Sequence, residues 1–535
     1  GIDPMADQFP SGTAGTPGNA GSFFNEANAD GSVDLTFVSV TDGNGGINVF
    51  VDGTSKADSI TATGNSDIIT GFAGDDTIDG GAGADSARFN GTFESHTISF
   101  DTGAGTITVT DNDTVTDGND GTDTLSAVET LVFNGSVVHI VDIDGQFGAF
   151  TSIQAAIDAA SANDVIMVIG RASDYAENLT VGKALSFIGV DVGAGNPDIA
   201  PAAGTAVNIT GGAGDISFAN IDLDGAGTAT TGINVVAGAD IGTLTFTNGS
   251  ISGFTDRGIF ATDAGNPSGT PAMDALVVSN SSFSANGSGT GNTADVKLFG
   301  FDGDATFQNV TFEGTTGVAG PAGRPDNAVE IIGGLSGPNN ANPVPTNEPD
   351  IGTVVFDGVT VTGEYHKNPI AIFNFNEIDG LSVTNLDLSG AVSNWGPLFN
   401  IDGIADGVID VSGFTITLPA GSDIHTEIQG DKSGQPAVDQ TITGTSGNDR
   451  IMGKGGNDTL RGGDGDDQLY GADKPGGSAA GEIGNDTLEG GAGNDALIGG
   501  GGIDTAVFNG VLTAGDFTLI ADADPTAGVI PGWQI

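Results

Sequence analysis

Gly453-Lys-Gly-Gly-Asn-Asp-Thr-Leu-Arg461 runs straight into Gly462-Gly-Asp-Gly-Asp-Asp-Gln-Leu-Tyr470. Both phrases share a nine-residue frame: a glycine-rich turn, an aspartate, and an apolar residue two positions later. The same frame covers Gly444–Met452, Gly481–Glu489, Gly490–Ile498 and Gly499–Val507. Its aspartates are Asp449, Asp458, Asp467, Asp486, Asp495 and Asp504, nine apart except for one step of 19 that holds the ten-residue insertion Gly471–Ala480. A looser copy near the N-terminus places Asp58, Asp67, Asp76 and Asp85, again nine apart. The spacing has a mechanism. Glycine supplies the positive φ of a tight turn, and the apolar residue (Leu460, Leu469, Leu497) points inward from a brief strand. Two nonapeptides make one turn of a roll, so aspartates 18 apart stack on one edge. Carboxylates and turn carbonyls of successive turns then form an oxygen cage, the ligand set of a hard cation such as Ca²⁺.

These segments resemble the repeat-in-toxin (RTX) calcium β-rolls of proteins exported by type I secretion. The resemblance implies calcium binding at the ten aspartates above and a life outside the cell. Ala87-Arg-Phe-Asn-Gly91 and Ala506-Val-Phe-Asn-Gly510 follow the two repeat blocks in parallel. The first continues through Thr106-Ile-Thr-Val-Thr110 to Gly121-Thr-Asp-Thr-Leu-Ser-Ala-Val-Glu-Thr-Leu-Val-Phe133, which is similar to the β-rich cap of such rolls. The second reaches Phe517-Thr-Leu-Ile520 and stops at Ile535, which predicts a truncated C-terminal cap and an export signal beyond it.

Between the blocks lies a longer period. Phe150–Ala160 has apolar residues at helical spacing, and Asp164-Val-Ile-Met-Val-Ile-Gly170 is a buried-strand run. With Tyr175-Ala-Glu-Asn-Leu-Thr-Val181 and Ala184-Leu-Ser-Phe-Ile-Gly189 they resemble the entry to pectinesterase-like right-handed β-helices, and less closely that of mannuronan epimerases. An apolar-x-apolar-x-Asn-x-x-apolar phrase then recurs around Asn220, Asn248, Asn280, Asn309 and Asn385, with Asp357 and Ser412 expected in the same place of two further units. Asparagine tolerates left-handed backbone and can bond its own kind one coil above, so these read as a corner ladder. A second apolar strand follows in each unit: Ile233–Val236, Val296–Phe299, Val329–Ile332, Ile370–Phe373 and Leu398–Ile401.

Long Pro/Gly/Asn-rich insertions at Thr262–Ala272, Thr315–Asn327 and Gly333–Asp350 leave this solenoid as loops. Arg257, Arg324 and Lys367 fall just before the second strand of their coils, with Tyr365 and His366 beside Lys367 and Trp395 one coil later. A cation to neutralise a uronate carboxylate, with Tyr or His to take a proton, is what a polysaccharide lyase or epimerase needs. No epimerase-type Tyr-Gly-x-Asp-Pro-His motif or pectinesterase-type aspartate motif accompanies them.

Composition sets the outer limits. The chain has 535 residues with 70 acidic and 13 basic side chains, a formal charge of -57, so it lacks the clustered cations that nucleic acid or an anionic membrane requires. It has no cysteine, which excludes disulfides and thiolate chemistry. No apolar run is long enough to span a bilayer. Gly1-Ile-Asp-Pro4 before Met5 reads as an expression-tag scar. The expected organisation is all-β: a scar and leader over 1–20, an N-terminal RTX roll and cap over 21–140, a right-handed parallel β-helix over 141–430, and a C-terminal RTX roll over 431–535. The expected function is a secreted, calcium-folded surface or matrix protein of adhesin or surface-layer type. Its expected partners are calcium, a polysaccharide or cell-surface glycan, and further copies of itself through calcium. The alternative is a secreted lyase or epimerase acting through the β-helix.

Overall fold

Three-residue strands with only the central side chain buried are the signature of the N-terminal nonapeptide region, and they arise from the frame itself. In Ser59–Thr61, Ile68–Thr70, Thr77–Asp79 and Ser86–Arg88 the apolar residue two positions after each aspartate (Ile60, Ile69, Ile78, Ala87) points inward between polar neighbours. The computed structural model describes residues 34–36, 50–116, 118–147, 150–212, 214–262, 272–289, 292–315, 323–333, 351–373, 378–394, 396–404, 408–419, 424–431, 437–472 and 484–509. The leader at 1–20, Trp395, most of the three long insertions and Phe517–Ile520 lie outside these residues. The chain divides into two compact units: residues 1–177 with 183–198, and residues 178–182 with 199–535.

In the first unit, parallel strands pair at an offset of 18 residues, Ser59 against Thr77 and Ile68 against Ser86, so one turn of the roll is two nonapeptides. One face runs Asp34–Thr36, Ser59–Thr61, Thr77–Asp79, Thr122–Ser126, Thr106–Asp111, His96–Asp101. The last three strands turn antiparallel and close the stack. The other face runs Phe50–Asp52, Ile68–Thr70, Ser86–Arg88, Thr130–Phe133, Ser136–Val141, Asp164–Gly170, Leu185–Asp191. Phe89, Phe93, His96 and Phe133 cluster where roll meets cap, with Phe89 stacked on Phe133 at 5.3 Å. The expected helix forms over Ile153–Ala159, and burial of Ile153, Ala156 and Ile157 explains its periodicity. Its N-terminus is closed by Glu177, whose carboxylate accepts from the N–H of Ile153 (2.8 Å) and of Gln154 (3.0 Å). Every residue of Asp164–Gly170 is buried, as its unbroken apolar run requires.

The second unit begins as a three-sided parallel solenoid. A representative coil is Ile241–Thr247, the corner Asn248, Ser250–Ser252, then Arg257–Thr262. Each strand pairs in parallel with its counterpart one coil away: Phe246 with Val278, Ile251 with Phe283, Ile259 with Val296. Aromatic side chains line the interior in stacks, Phe307 on Phe356 at 5.2 Å and Phe283 on Phe312 at 5.0 Å. The asparagine ladder is present, with Asn220, Asn248, Asn280, Asn309 and Asn385 all left-handed at φ 49 to 56°. Asn309 donates its side-chain amide to Asn280 at 3.1 Å. Two expected members are corrected. Asp357 ends its strand, and the left-handed corner is Gly358 at φ 66°, because Asp357 pairs in register with Gln308 and not with Asn309. Ser412 hydrogen-bonds Asp410, and the register Leu386–Ile416 sets Thr415 opposite Asn385 instead.

The third side, from Leu179–Val181 to Thr426–Gly430, continues without a break through Asp449–Met452, Gln468–Tyr470 and Ala496–Ile498. Beyond Val408–Asp410 a single sheet of Thr441–Thr443, Thr459–Asp464, Thr487–Ala492 and Thr505–Val507 faces it. Within this unit the three-sided coil becomes a two-sided roll, because the nonapeptide leaves room for only two strands per turn. The molecule is nearly all β with long parallel sheets, the class expected.

Candidate metal centre

The aspartates of the nonapeptides stack into ladders along the edges of both rolls. Each N–H donates to Oδ1 of the aspartate one turn on: Asp58 to Asp76 and Asp67 to Asp85 at 2.7 Å, Asp449 to Asp467 at 2.9 Å. Across the insertion the same bond spans 28 residues, Asp458 to Asp486 at 2.8 Å and Asp467 to Asp495 at 3.1 Å. Asp486 donates to Asp504 at 3.0 Å. The insertion is placed differently from the sequence expectation. Gly471 itself occupies the first position of the Asp486 turn, since its N–H bonds Ile498 O at 2.8 Å as Gly453 bonds Tyr470 O at 2.9 Å. The turn that carries Asp486 therefore begins at Gly471.

The ladders recruit residues that lie outside the nonapeptide frame. Asp76 N–H donates to Asp123 Oδ1 at 2.9 Å and Asp85 N–H to Glu129 Oε2 at 2.5 Å, so the cap supplies the next rung on both edges. Gln440 precedes Asp458, its N–H reaching Asp458 Oδ1 at 2.8 Å. Asp123-Thr-Leu125 and Glu129-Thr-Leu131 keep the acid-x-apolar phrase without the glycines, a signal that was available but weak.

The second oxygen of several rungs is stranded. Oδ2 of Asp76, Asp85, Asp458 and Asp467 is buried with no hydrogen-bond partner. Burial foremost, with like charges along the ladder, raises the carboxyls of Asp76, Asp85 and Asp458 to about 7 and those of Asp123 and Asp467 to about 8. Burial likewise raises Asp449 and Asp486 to about 6. These oxygens aim at the first glycine of their own turn. A Cβ on Gly462 would collide with Asp467 Oδ2 and lie 2.5 Å from Gly490 O, and a Cβ on Gly471 would strike Asp486 Oδ2 and Gly499 O. Missing side chains thus leave a cradle in which a carboxylate and a carbonyl of the next turn face one space. Among the described residues no three His, Asp or Glu side chains converge as a metal cluster, so an ion here depends on backbone carbonyls for much of its shell. Hard oxygen donors, net negative charge and stranded buried carboxylate oxygens fit Ca²⁺.

The basic patch of the solenoid is arranged differently. Arg257 lies over the Phe260 ring at 4.3 Å and donates to Asn292 O at 3.1 Å. Lys367 bonds the Asn292 side chain and Asp326, each at 2.9 Å. His366 Nδ1 meets Asp326 Oδ1 at 2.8 Å, and Arg324 pairs with Glu364. Asn292 and Asp326 therefore draw Arg257, His366 and Lys367 together, and Arg324, His366 and Lys367 each already have a carboxylate partner. Tyr365 is not with them. It is fully buried, its ring packs against Gly314, and burial holds its hydroxyl well above the ordinary tyrosine range. A second buried pair, Lys297 with Glu330, stands on the adjoining coils.

A family model, the RTX calcium-binding nonapeptide repeat, matches residues 52–87, 443–473 and 478–506, which include all ten repeat aspartates. Repeats of this kind bind calcium, so calcium is the cofactor of this chain. No curated protein matches it in sequence. Among solved structures, Geobacillus virus E2 ORF18 shares 11% identity at a TM-score of 0.29, over 66% of this chain. The chain spans 58% of that protein's length. No helix among the described residues is long and apolar enough to cross a membrane.

Proposed function

We propose that the chain is a secreted bacterial surface or matrix protein of adhesin or surface-layer type, whose rolls fold around Ca²⁺ outside the cell. The observation that carries this reading is the row of stranded carboxylate oxygens at Asp76, Asp85, Asp458 and Asp467. Repulsion along such ladders, in a chain of charge -57, opposes the rolls until a divalent cation bridges them. Calcium-poor cytosol then keeps the rolls open for export, and calcium-rich surroundings close them. The solenoid presents long parallel faces to a polysaccharide or cell-surface glycan, and calcium screens like-charged copies so that they can assemble. Circular dichroism and light scattering of the full chain, in chelator and in millimolar calcium, test this. A gain of β signal with calcium is expected; identical spectra and scattering in both conditions would count against it.

The lyase or epimerase alternative draws no specific support from the basic patch. Of the two expected proton acceptors, Tyr365 is enclosed and His366 is engaged by Asp326, while Arg324 and Lys367 are engaged by Glu364 and Asp326. Incubation with alginate, pectate and a glycosaminoglycan is expected to give no ultraviolet-absorbing unsaturated product. Product that forms, and is lost in Lys367→Ala, would reinstate the enzyme.

A further inference from the structure

The first rung of each ladder is built unlike those that follow. Thr63 donates its N–H (2.7 Å) and its hydroxyl (2.6 Å) to Asp67 Oδ2. Thr445 does the same to Asp449 Oδ2, at 2.6 and 3.0 Å. In the Asp58 turn, Thr54 N–H bonds Oδ2 and its hydroxyl bonds Oδ1 at 3.0 Å. In all three turns the same hydroxyl accepts the N–H two residues on: Lys56 and Asn65 at 3.2 Å, Gly447 at 3.0 Å. Threonine four residues before the aspartate therefore satisfies the oxygen that is stranded at Asp76, Asp85, Asp458 and Asp467.

Backbone conformation separates the two kinds of turn in the same way. The residue at the threonine's position is left-handed wherever Oδ2 is stranded: Phe72 at φ 65°, Gly81 at 89°, Lys454 at 72° and Gly463 at 117°. Thr54, Thr63 and Thr445 keep negative φ. A β-branched side chain resists the left-handed region, and its hydroxyl favours the local turn instead. The fourth ladder reaches the same end by other means. Its first rung is Gln440, a neutral amide whose oxygen accepts Asp431 N–H at 3.3 Å.

We propose that Thr54, Thr63 and Thr445 are built-in substitutes for calcium, so that metal occupancy begins at the second rung of each ladder, at Asp76, Asp85, Asp458 and Asp467. This rests on the calcium reading and adds to it which rungs carry ions. It also gives each roll a metal-independent first turn, on which calcium-dependent turns stack. The turn before a first rung supplies no repeat aspartate to share an ion with, Thr426 standing opposite Asp449, and a hydroxyl closes the rung without charge.

The test is the number of calcium ions bound per full-length chain, by equilibrium dialysis, for wild type, Asp449→Asn, Asp467→Asn, Asp58→Asn and Asp76→Asn. The amide keeps the Oδ1 acceptor, and circular dichroism verifies that each variant remains folded. Asp449→Asn and Asp58→Asn are expected to bind the wild-type number with affinity within about twofold, because the replaced oxygen accepts from threonine and not from an ion; the lost threonine N–H contact costs local stability and not ion number. Asp467→Asn and Asp76→Asn are expected to lose at least one ion each. The two rolls are independent tests, so if one variant does not fold the other pair decides. Loss of an ion in Asp449→Asn or Asp58→Asn, or full stoichiometry in Asp467→Asn and Asp76→Asn, overturns the proposal. Wild type binding no calcium at all would instead defeat the reading beneath it.

Discussion

The rolls and the three-sided coils solve one problem, a polar corner repeated on every turn, with side chains that differ by a single group. At the corners of the coils stands asparagine, which both donates and accepts, so Asn309 can bond Asn280 and remain neutral. At the edges of the rolls stands aspartate, which only accepts. One oxygen takes the N–H of the neighbouring turn, and the other is left stranded at Asp76, Asp85, Asp458 and Asp467. An amide ladder is complete when the chain folds; a carboxylate ladder is complete only with a cation. The same stacking of short parallel strands is thus unconditional in one region and conditional on calcium in the other.

Removal of calcium should break this comparison most visibly. In chelator, hydrogen exchange is expected to accelerate across Thr459–Asp464 and Thr487–Ala492 while Ile241–Thr247 and Met273–Ser279 stay protected. Each site held at a hundredfold excess over its Kd contributes about 2.7 kcal/mol, so several together exceed any single side chain. Equal loss of protection in both regions would show that the coils share the metal dependence. Phe307→Ala should do the reverse. It opens a cavity beside Phe356 and Phe312 and is expected to cost ~3–5 kcal/mol in urea unfolding, by the same amount with or without calcium.

A third prediction uses a carboxylate that needs no metal. Asp142 is fully buried, and Arg171 bonds it at 2.7 and 2.8 Å. Burial pushes its carboxyl up, but the Arg171 contacts and backbone N–H donors outweigh burial and hold it below the usual range. A depressed folded value stabilises the fold above the unfolded carboxyl range near pH 4 and is lost as pH falls through the lower folded value. Asp142→Asn should therefore destabilise the first unit by about 3 kcal/mol at pH 7 and by much less near pH 2, read from urea midpoints. A pH-independent difference would contradict this. The smallest effect is expected from Asn280→Ala, which places alanine at φ 49° and removes the acceptor of the Asn309 amide. A loss of about 1–2 kcal/mol in thermal unfolding is expected; no loss would mean that the corner ladder does not stabilise the coils.

Much of this architecture is local and therefore visible along the chain. A nine-residue frame with one inward residue dictates a short strand and an 18-residue turn, as Ser59 against Thr77 bears out. Helical spacing at Ile153, Ala156 and Ile157 and left-handed asparagines at the corners are likewise properties of short segments. What lies between coils is decided by register, and register is tertiary. Asp357 and Gly358 are neighbours in sequence, but only the pairing with Gln308 sets the glycine at the corner. Asp123 and Glu129 join the ladders across 47 and 44 residues because the cap docks on the last turn of the roll. Tyr365 adjoins His366 and Lys367 in sequence yet is buried in the core, because it ends the strand Thr360–Tyr365 whereas His366 and Lys367 lie beyond that strand and turn to Asp326. The sequence by itself determined the repeating unit, its inward residues and the cation that its oxygens suit. Only the tertiary structure decided which carboxylates are left unsatisfied, since that depends on which donors the neighbouring turn and the local backbone bring within reach.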